Sequence, residues 1–452
     1  MEEILEQIEQ KHYSKVKKML ADMLIPDVAE LLERIESDTD MVIVFRLLPK
    51  SLGAEVFSYI SPEWQETLIQ LLSDKEIAYI IEDMYTDDVV DFIDELPANV
   101  VEKVLKNSTK ETRQLINKLL RYEDYTAGSI MTTEFMDLKA GMSVEKALNR
   151  IRRKGKDVET INVLYVTTKE RILTGVLSIR ELLLADPEDE IDELMETNII
   201  SVDTSTDQEE IALTFQKYDF LSLPVVDKEN RLVGIVTIDD VVDIISEEAT
   251  EDIAIMNAVA PSDKPYLKTG VLKIWWNRVP WLMLLMISAT FTGLIITNNE
   301  AILSKSAFGI VLTACIPMLM GTGGNAGGQS SATIIRGIAL NEITIRDYLK
   351  VVWKEIRVAV LLGLSLAVAC FFKLLYIDGL FKLDNGYLVS AVVCLAMFIT
   401  VLVAKVVGCT LPLIAKQCKL DPAVMASPFI TTILDTLSLL ILCGLTTAML
   451  PL

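Results

Sequence analysis

The sequence predicts a multidomain protein with three parts: an all-α superhelical N-terminal domain, an α/β region built from a tandem repeat, and an all-α membrane domain with five transmembrane helices. The prediction rests on how charge and apolar residues are distributed along the chain. Residues 1–265 contain 56 acidic and 28 basic residues, whereas residues 266–452 contain 8 acidic and 14 basic residues and five long apolar stretches. An acidic, water-soluble region is therefore followed by a membrane region.

The composition also limits the function. A region with a net charge of −28 is a poor partner for nucleic acid, whose binding depends on a basic surface, and it favours cationic ligands. The chain has one histidine, His12, which argues against histidine-based acid–base catalysis, and we expect no enzyme. The six cysteines all lie in the apolar half, at spacings typical of neither zinc sites nor disulfide frameworks. The acidic N-terminus lacks the apolar core of a signal peptide, so we expect the soluble region in the cytoplasm.

Residues 1–126 have the pattern of a helical N-terminal domain. Apolar residues recur at helical spacing, and the turns carry Pro, Ser or Thr followed by Asp or Glu, which are helix-start signals. Three loosely similar units between about 46 and 120 indicate a short superhelix of stacked helices. No catalytic arrangement of residues is visible in this domain.

The hydrophobic period changes after residue 126, and two similar segments follow, 127–190 and 191–248. Each reads as a short strand, an amphipathic helix, two strands separated by a charged turn, and a helix. The repeats resemble a tandem of cystathionine-β-synthase-type (CBS) domains, most closely in LPVVDKENRLVGIVTIDDVV. The resemblance implies α/β tandem CBS domains.

In many CBS domains a Thr/Ser-x-x-Asp motif after the last strand holds a nucleotide ribose. Thr237 and Asp240 fit this motif in the second copy, and they imply a nucleotide site. The first copy has Ser178 and Glu181 at the corresponding positions, and Glu181 in place of Asp puts a nucleotide site there in doubt. A purely structural role, in which Thr237 caps the following helix, is an equally good interpretation.

Carboxylates cluster at helical spacings on the N-terminal helices and again between the tandem repeat and the first span. Such runs are usually solvated surface. Here the clusters would repel one another in a compact protein unless cations bind between them, and oxygen-only ligands favour Mg²⁺ or Ca²⁺. The candidate regulatory metal ligands are Asp87, Asp88, Asp91, Asp94, Glu95, Asp239, Asp243, Glu247, Glu248, Glu251 and Asp252.

The membrane domain is predicted to occupy 274–452, after a connecting helix at 249–273. We expect spans at about 279–297, 307–335, 358–375, 387–415 and 423–450. The second contains GTGGNAGG, and the fourth contains Lys405, Gly408 and Pro412. We interpret both as interruptions that bend or partly unwind the helix. Irregular backbone inside a membrane is tolerated only where it is buried in protein or lines a water-filled pathway.

Basic residues predict the orientation. Ten of them fall on one face of the membrane, before the first span and after the second and fourth, whereas the other face receives three. The soluble region should therefore be cytoplasmic and the C-terminus outside, in a multi-pass protein of the cell membrane.

Asp435, in the last span, is the main candidate for the pathway. A carboxylate near mid-membrane costs about 2.5–3.5 kcal/mol and should face water or a partner. Thr431, Thr432 and Ser438 make one stripe of this helix polar, although hydroxyl caps on a structural Asp would give the same pattern. We expect Asp435 to bind the transported ion. The predicted pore residues are Asp435, Thr431, Thr432, Asn325, Gly324 and Pro317.

The whole chain resembles the MgtE family of magnesium channels or transporters. The resemblance is carried by PMLMGTGGNAGGQSS at 317–331, DPAVMASPFITTILDTLSLL at 421–440, TDDVVDFIDELP and EEATEDI. It implies a homodimer with its pore between the protomers, in which Asp435 attracts the hydrated ion. It also implies that cytoplasmic Mg²⁺, bound between the N domain, the CBS domains and the connecting (plug) helix, closes the pore, and that ATP on the CBS domains modulates it.

Other functions remain open at this point. The chain could carry another divalent cation under CBS control, or it could be a membrane-anchored CBS sensor without transport. A CBS-linked anion channel would need more spans and a basic or amide-rich pore, which Asp435 argues against.

Overall fold

The computed structural model describes residues 1–94, 96–261, 266–267, 269–300, 308–382, 385–425 and 427–450. The chain forms two compact units, Met1–Ile245 and Ser246–Leu452. The first unit contains the N-terminal helices and the tandem repeat, and the second contains the membrane helices.

The N-terminal part of the first unit is a stack of short helices, as the sequence predicts. Alternate helices pack on one another, so the chain winds into a superhelix around a continuous apolar core. Ser73 and Glu76 form a capping box, which confirms one of the predicted helix starts. The helices are α1 Glu2–Glu9, α2 Tyr13–Leu20, α3 Ile25–Glu33, α4 Asp38–Leu47, α5 Lys50–Ser58, α6 Pro62–Leu71, α7 Asp74–Asp83, α8 Thr86–Asp94, α9 Ala98–Asn107 and α10 Lys110–Leu119.

The tandem repeat forms two three-stranded sheets of the same design. In each sheet the first strand is parallel to the second, and the second is antiparallel to the third. The hydroxyls of Tyr165 and Ser222 lie 2.7 Å apart and link the two copies through a buried hydrogen bond. The elements are α11 Ala127–Ile130, β1 Phe135–Lys139, α12 Val144–Lys154, β2 Thr160–Thr167, β3 Leu173–Ser178, α13 Ile179–Leu184, α14 Ile191–Leu194, β4 Val202–Asp203, α15 Gln208–Tyr218, β5 Ser222–Val226 and β6 Leu232–Thr237.

The predicted connecting helix differs from the observed one. Helix α16 covers Ile238–Met256, so it starts directly after β6 and continues as one helix past the end of the repeat. It ends well before residue 273, and the next helix begins at Val271. The carboxylates at its start and those near its end therefore belong to a single α-helix.

Five helices are long and apolar enough to cross a membrane in the described residues, as the sequence predicts. Helix α18 packs against α20 and α21, while α19 packs against α20 and α17 against α21. These helices are α17 Val271–Asn298, α18 Gly309–Ala339, α19 Tyr348–Phe372, α20 Gly386–Gln417 and α21 Ser427–Met449.

The interpretation of the glycine-rich segment as a partly unwound helix is wrong. Helix α18 continues through Gly321–Gly328, and α20 continues through Gly408 and Pro412. The glycines instead allow helices to approach closely. A Cβ at Gly327 would lie 2.3 Å from a Leu434 methyl carbon, and one at Gly408 would lie 2.3 Å from the Gly327 carbonyl oxygen. Small residues at membrane helix interfaces commonly have this role.

The Gly408→Ala variant should be less stable than the native protein, by about 1–3 kcal/mol, because the added methyl group meets rigid backbone. Gly321→Ala is the matched control, since a Cβ at Gly321 meets nothing within 4 Å. Thermal unfolding of both purified variants in detergent measures the difference. Equal melting temperatures for the two variants would contradict close packing of α18 on α20.

Candidate ion pathway and acidic clusters

Asp435 lies in α21, is partly exposed, and makes no side-chain hydrogen bond or ion pair within the described part of the chain. The hydroxyls that could have capped it are used elsewhere. Thr431 and Thr432 both donate to the carbonyl of Pro428, at 2.9 and 3.0 Å, and Ser438 donates to the carbonyl of Leu434 at 2.6 Å. The alternative of a structurally capped Asp is therefore not what the structure shows. Its carboxylate is uncompensated.

The glycine face of α18 packs directly against the helix that carries Asp435. A Cβ at Gly324 would lie 2.9 Å from the Thr431 methyl carbon, and one at Gly323 would lie 2.9 Å from the Ser438 hydroxyl. Thr431 and Ser438 are four residues before and three residues after Asp435, which places them on the same side of α21. The structure thus brings Gly324 and Thr431 together beside Asp435.

Two other predicted pore residues lie on a different surface. Pro317 and Asn325 are both exposed on α18, away from the face buried against α20 and α21. Within a single chain they contact neither Thr432 nor Asp435 through any hydrogen bond that the structure describes. Their exposure leaves one side of the candidate pathway without a protein wall in one copy of the chain.

In the soluble unit, the start of α8 meets the start of α16 and the first CBS copy in a cluster of carboxylates, which we call the soluble cluster. It consists of Asp87, Asp88, Asp239, Asp240 and Glu159. Asp87 is buried, and its described hydrogen bond is the one it accepts from the backbone N–H of Asp88, at 3.0 Å. The three elements therefore hold like charges together.

Burial and mutual repulsion raise the pKa of several of these groups. Burial, then Asp240, raises the pKa of Asp87 well above its usual value, and burial with Asp240 and Asp239 raises the pKa of Asp88 to about 6. Burial raises the pKa of Asp240 to about 6, and burial with Asp239 and Asp240 raises that of Glu159 to about 8. At neutral pH, ionisation of this cluster works against the compact arrangement.

The sequence did not reveal Glu159, a member of the cluster, or Glu134, its neighbour. Glu134 accepts hydrogen bonds from the hydroxyls of Thr86 and Thr132, at 2.7 and 2.9 Å, and so fixes the start of α8 to the CBS region. Glu159 precedes β2, and one of its carboxylate oxygens is buried without a hydrogen-bond partner in the described structure. Each is a single acidic residue in a loop, without the helical spacing that pointed to the others.

The remaining predicted metal ligands are more dispersed. Asp91, Asp94 and Asp243 are exposed, and Glu95 lies outside the described residues. Partial burial and Asp124 raise the pKa of Asp94. Asp91, Asp94 and Asp243 are near the soluble cluster in sequence, but they do not share the burial of Asp87.

A second group, the connecting-helix cluster, lies in the other unit. Burial raises the pKa of Asp252 to about 6, with further contributions from Asp421, Glu248 and Glu251. Glu247 lies one residue before Glu248 on the same helix and is exposed. Asp421 precedes α21, so the carboxylates at the end of α16 lie next to the segment that leads into the helix of Asp435.

Neither cluster is a finished metal site in this structure. Within the described ranges, no group of three or more His, Cys, Asp or Glu side chains is arranged to hold a metal ion. The clusters concentrate negative charge, and their carboxylates are close enough to repel one another. Their oxygens are not arranged as a coordination shell around one ion. Hard divalent cations are the ligands that such oxygen-only surroundings suit.

The predicted nucleotide motif is engaged in a local contact. The Thr237 hydroxyl donates a hydrogen bond of 2.7 Å to the Asp240 carboxylate, and Thr237 is buried. Asp240 also belongs to the soluble cluster. The same two side chains thus lie at the end of β6 and the start of α16, as the motif requires.

Comparisons with known proteins match the N-terminal helices, the tandem repeat and the membrane helices of this chain. The family profile described as "MgtE: Divalent cation transporter" matches residues 316–445. The profile of the MgtE intracellular N domain matches 23–125, and that of the CBS domain matches 127–188 and 191–247. The chain is 36% identical over 430 residues to the magnesium transporter MgtE of Thermus thermophilus, covering 94% of this chain and 93% of the relative.

The chain belongs to the MgtE family of magnesium transporters. It is also 31% identical over 443 residues to the magnesium transporter MgtE of Bacillus subtilis, covering 95% of each chain. The family resemblance and the multidomain fold class predicted from the sequence are both confirmed, and the MgtE relatives are named as transporters, as expected of a chain that is not an enzyme.

Two solved MgtE-type structures resemble the soluble part of the chain. The cytosolic domain of an Mg²⁺ channel MgtE in complex with ATP is 36% identical and covers 54% of this chain and 100% of that chain, with a TM-score of 0.51. The soluble part of a magnesium transporter is 31% identical and covers 54% of this chain and 96% of that chain, with a TM-score of 0.52. In both relatives the soluble part was crystallised as a separate protein.

The stability of the soluble fragment 1–256 should fall as the pH rises, in the absence of divalent cations. Raised pKa values mean that these carboxyls stabilise the fold when protonated, and this contribution is lost as the pH rises through about 6 for Asp88 and Asp240 and about 8 for Glu159. Asp88→Asn should raise the free energy of unfolding at pH 7.5 by roughly 2 kcal/mol and flatten the pH dependence.

Urea denaturation at several pH values measures these free energies of unfolding. Asp22→Asn, which changes an exposed carboxylate on the same helical domain, serves as the control and should leave the profile unchanged. A profile that rises with pH, or an Asp88→Asn variant no more stable than the control, would contradict the assigned repulsion.

Proposed function

We propose that this chain carries Mg²⁺ across the cell membrane along the surface beside the meeting of α18 and α21. The uncompensated carboxylate of Asp435 carries the proposal, because it supplies negative charge beside a close-packed glycine face without any basic partner in the described structure. An unpaired carboxylate within a span is costly and is retained when it attracts a cation. A membrane-anchored sensor without transport would have no use for it.

We propose that two copies of the chain form the pathway. Asp435 is partly exposed, and Asn325 and Pro317 are exposed, so the candidate pathway of one chain lacks a wall. A second copy related by twofold symmetry would supply the same surface and complete it. The mass of the purified protein in detergent, measured by light scattering, tests this arrangement, and a monomer that transports Mg²⁺ would refute it.

The orientation that we propose follows from the basic residues. Lys273, Arg336 and Lys416 lie near the ends of α17, α18 and α20 that should face the cytoplasm, together with the acidic soluble unit. The end of α21 would then lie outside. Labelling of a single cysteine introduced near residue 450 by a membrane-impermeant reagent on whole cells tests this placement, and protection of that cysteine would refute it.

We propose that cytoplasmic Mg²⁺ closes the pathway by binding at the two acidic clusters. Mg²⁺ placed between Asp88, Asp239 and Glu159 would cancel their repulsion and favour the compact arrangement of the soluble unit. Mg²⁺ bound near Asp252 and Asp421 would offset repulsion in the same way at the connecting helix. Negative feedback is needed because an inside-negative potential favours entry of a divalent cation by about 4.6 kcal/mol per 100 mV.

ATP is the proposed second ligand of the soluble unit. A relative whose cytosolic domain was solved in complex with ATP is 36% identical to this region, and the Thr237 and Asp240 pair has the position that the CBS motif requires. Binding of ATP to the fragment 1–256, measured by calorimetry, should be lost in Asp240→Ala. Unchanged affinity in that variant would argue that the pair is a structural cap.

Asp435→Ala should reduce Mg²⁺ flux by about tenfold or more, because the field that concentrates cations in the pathway is removed. Asp435→Asn keeps the shape of the side chain and should lose the preference for divalent over monovalent cations even where it conducts. Flux into proteoliposomes, followed with a Mg²⁺ indicator, measures both effects. Asp347→Asn, in an exposed ion pair with Lys350, is the control; native flux in Asp435→Ala would refute the assignment.

Neutralising the soluble cluster in Asp88→Asn/Asp239→Asn/Glu159→Gln should weaken the closing effect of Mg²⁺. The native fragment 1–256 should become more compact and resist proteolysis in millimolar Mg²⁺, because the ions offset carboxylate repulsion, and the triple variant should respond less. In full-length protein, the variant should stay open at internal Mg²⁺ concentrations that close the native protein.

Small-angle scattering, limited proteolysis and flux measurements provide the three readouts. Exposed carboxylates away from the cluster, changed in Glu9→Gln/Asp22→Asn/Glu63→Gln, form a control with the same change in net charge. Identical scattering curves of the native fragment with Mg²⁺ and with chelator would return the cluster to ordinary surface charge.

A further inference from the structure

A buried ion pair links the membrane helices α19 and α20. The ammonium nitrogen of Lys405 on α20 lies 3.8 Å from a carboxylate oxygen of Glu355 on α19, and the two side chains are 7% and 13% exposed. Among the residues that the structure describes, Lys405 is the only buried lysine or arginine. Apart from Asp435, which is partly exposed, the other described charged side chains of the membrane unit lie near helix ends or on exposed faces.

The pair is tied to the glycine helix. The Ser330 hydroxyl on α18 donates a hydrogen bond to the Glu355 carboxylate, so three helices meet at this point. Ser330 is buried and lies three residues after Gly327, about one helical turn along α18. Gly327 packs against Leu434, the neighbour of Asp435, so α18 contacts both the pair and the helix that carries Asp435.

An unbalanced charge at this pair would act on the Asp435 carboxylate. Little water or salt screens charges inside a membrane protein, so charges separated by a few helical turns still interact. With both partners ionised, the pair adds no net charge, and Asp435 determines the local field alone. Loss of Lys405 would leave a second negative charge behind the pathway, whereas loss of Glu355 would leave a positive one.

We propose that Lys405 and Glu355 are specificity-determining residues that set the affinity of the pathway for divalent cations by charge compensation. Lys405 neutralises Glu355, which would otherwise hold cations too tightly for release, and Glu355 neutralises Lys405, which would otherwise repel them. Conduction requires binding strong enough for entry and weak enough for exit. The inference rests on the proposed Mg²⁺ transport.

The two single neutralisations should shift the apparent affinity in opposite directions. In Lys405→Met, the Mg²⁺ concentration for half-maximal flux should fall several-fold, and the maximal rate should fall because ions leave slowly. In Glu355→Gln, that concentration should rise several-fold. The double variant Glu355→Gln/Lys405→Met again has no net charge, and its half-saturating concentration should return to within about twofold of the native value.

The experiment measures flux against external Mg²⁺ in proteoliposomes, normalised to folded protein by size-exclusion chromatography. Asp347→Asn and Lys350→Met, which break an exposed ion pair in the same unit, are the matched controls and should leave the half-saturating concentration unchanged. The flux of the native protein and its loss in Asp435→Ala test the transport proposal. The comparison of the pair variants tests the further inference separately.

A purely structural role of the pair would lower the yield of folded protein in both single variants without moving the half-saturating concentration in opposite directions. Shifts in the same direction, or no shifts, would overturn the proposal. If Lys405→Met does not fold, Lys405→Gln takes its place, because the amide can still donate a hydrogen bond to Glu355. An unchanged half-saturating concentration in Glu355→Gln overturns the proposal by itself.

Discussion

Repulsion between carboxylates without basic partners is the interaction on which the organisation of this protein depends. In the soluble unit, α8, α16 and the loop before β2 are packed so that Asp87, Asp88, Asp240 and Glu159 share one region, and burial raises the pKa of each. A fold selected only for stability would pair or expose these groups. In the proposed closing by Mg²⁺, their retention in a buried region would make the compact arrangement responsive to cations.

In the membrane unit a single carboxylate, Asp435, lacks a basic partner, and its surroundings depend on how closely the helices pack. In the proposed pathway, Asp435 acts on an ion only where its helix and the glycine helix pack closely, and glycines allow this because they have no side chain. Gly323, Gly324 and Gly327 bring α18 against α21, and Gly408 brings α20 against α18. Because apolar side chains gain little from leaving lipid, such close packing contributes much of the cohesion between membrane helices.

Much of the fold could be predicted because its periodic patterns are local. Alternation of strands and helices in the tandem repeat and apolar runs in the second unit each identify an element from neighbouring residues alone. The conformation of the glycine segment could not be predicted because it depends on residues that are distant in sequence. GTGGNAGG is compatible with an unwound backbone and with a tightly packed helix, and the choice depends on what lies opposite, here Thr431 and Leu434.

The sequence alone therefore determined the domain order, the five spans, the acidic character of the soluble region and Asp435 as the residue of interest. Only the tertiary structure decided which carboxylates meet. Asp88, Asp240 and Glu159 are separated by about 70 to 150 positions, and Glu159 has no pattern around it that marks it. The same holds for Glu355 and Lys405, which lie on different helices and meet because α19 packs on α20. Charges act through space, and periodicity reports only the face of one helix.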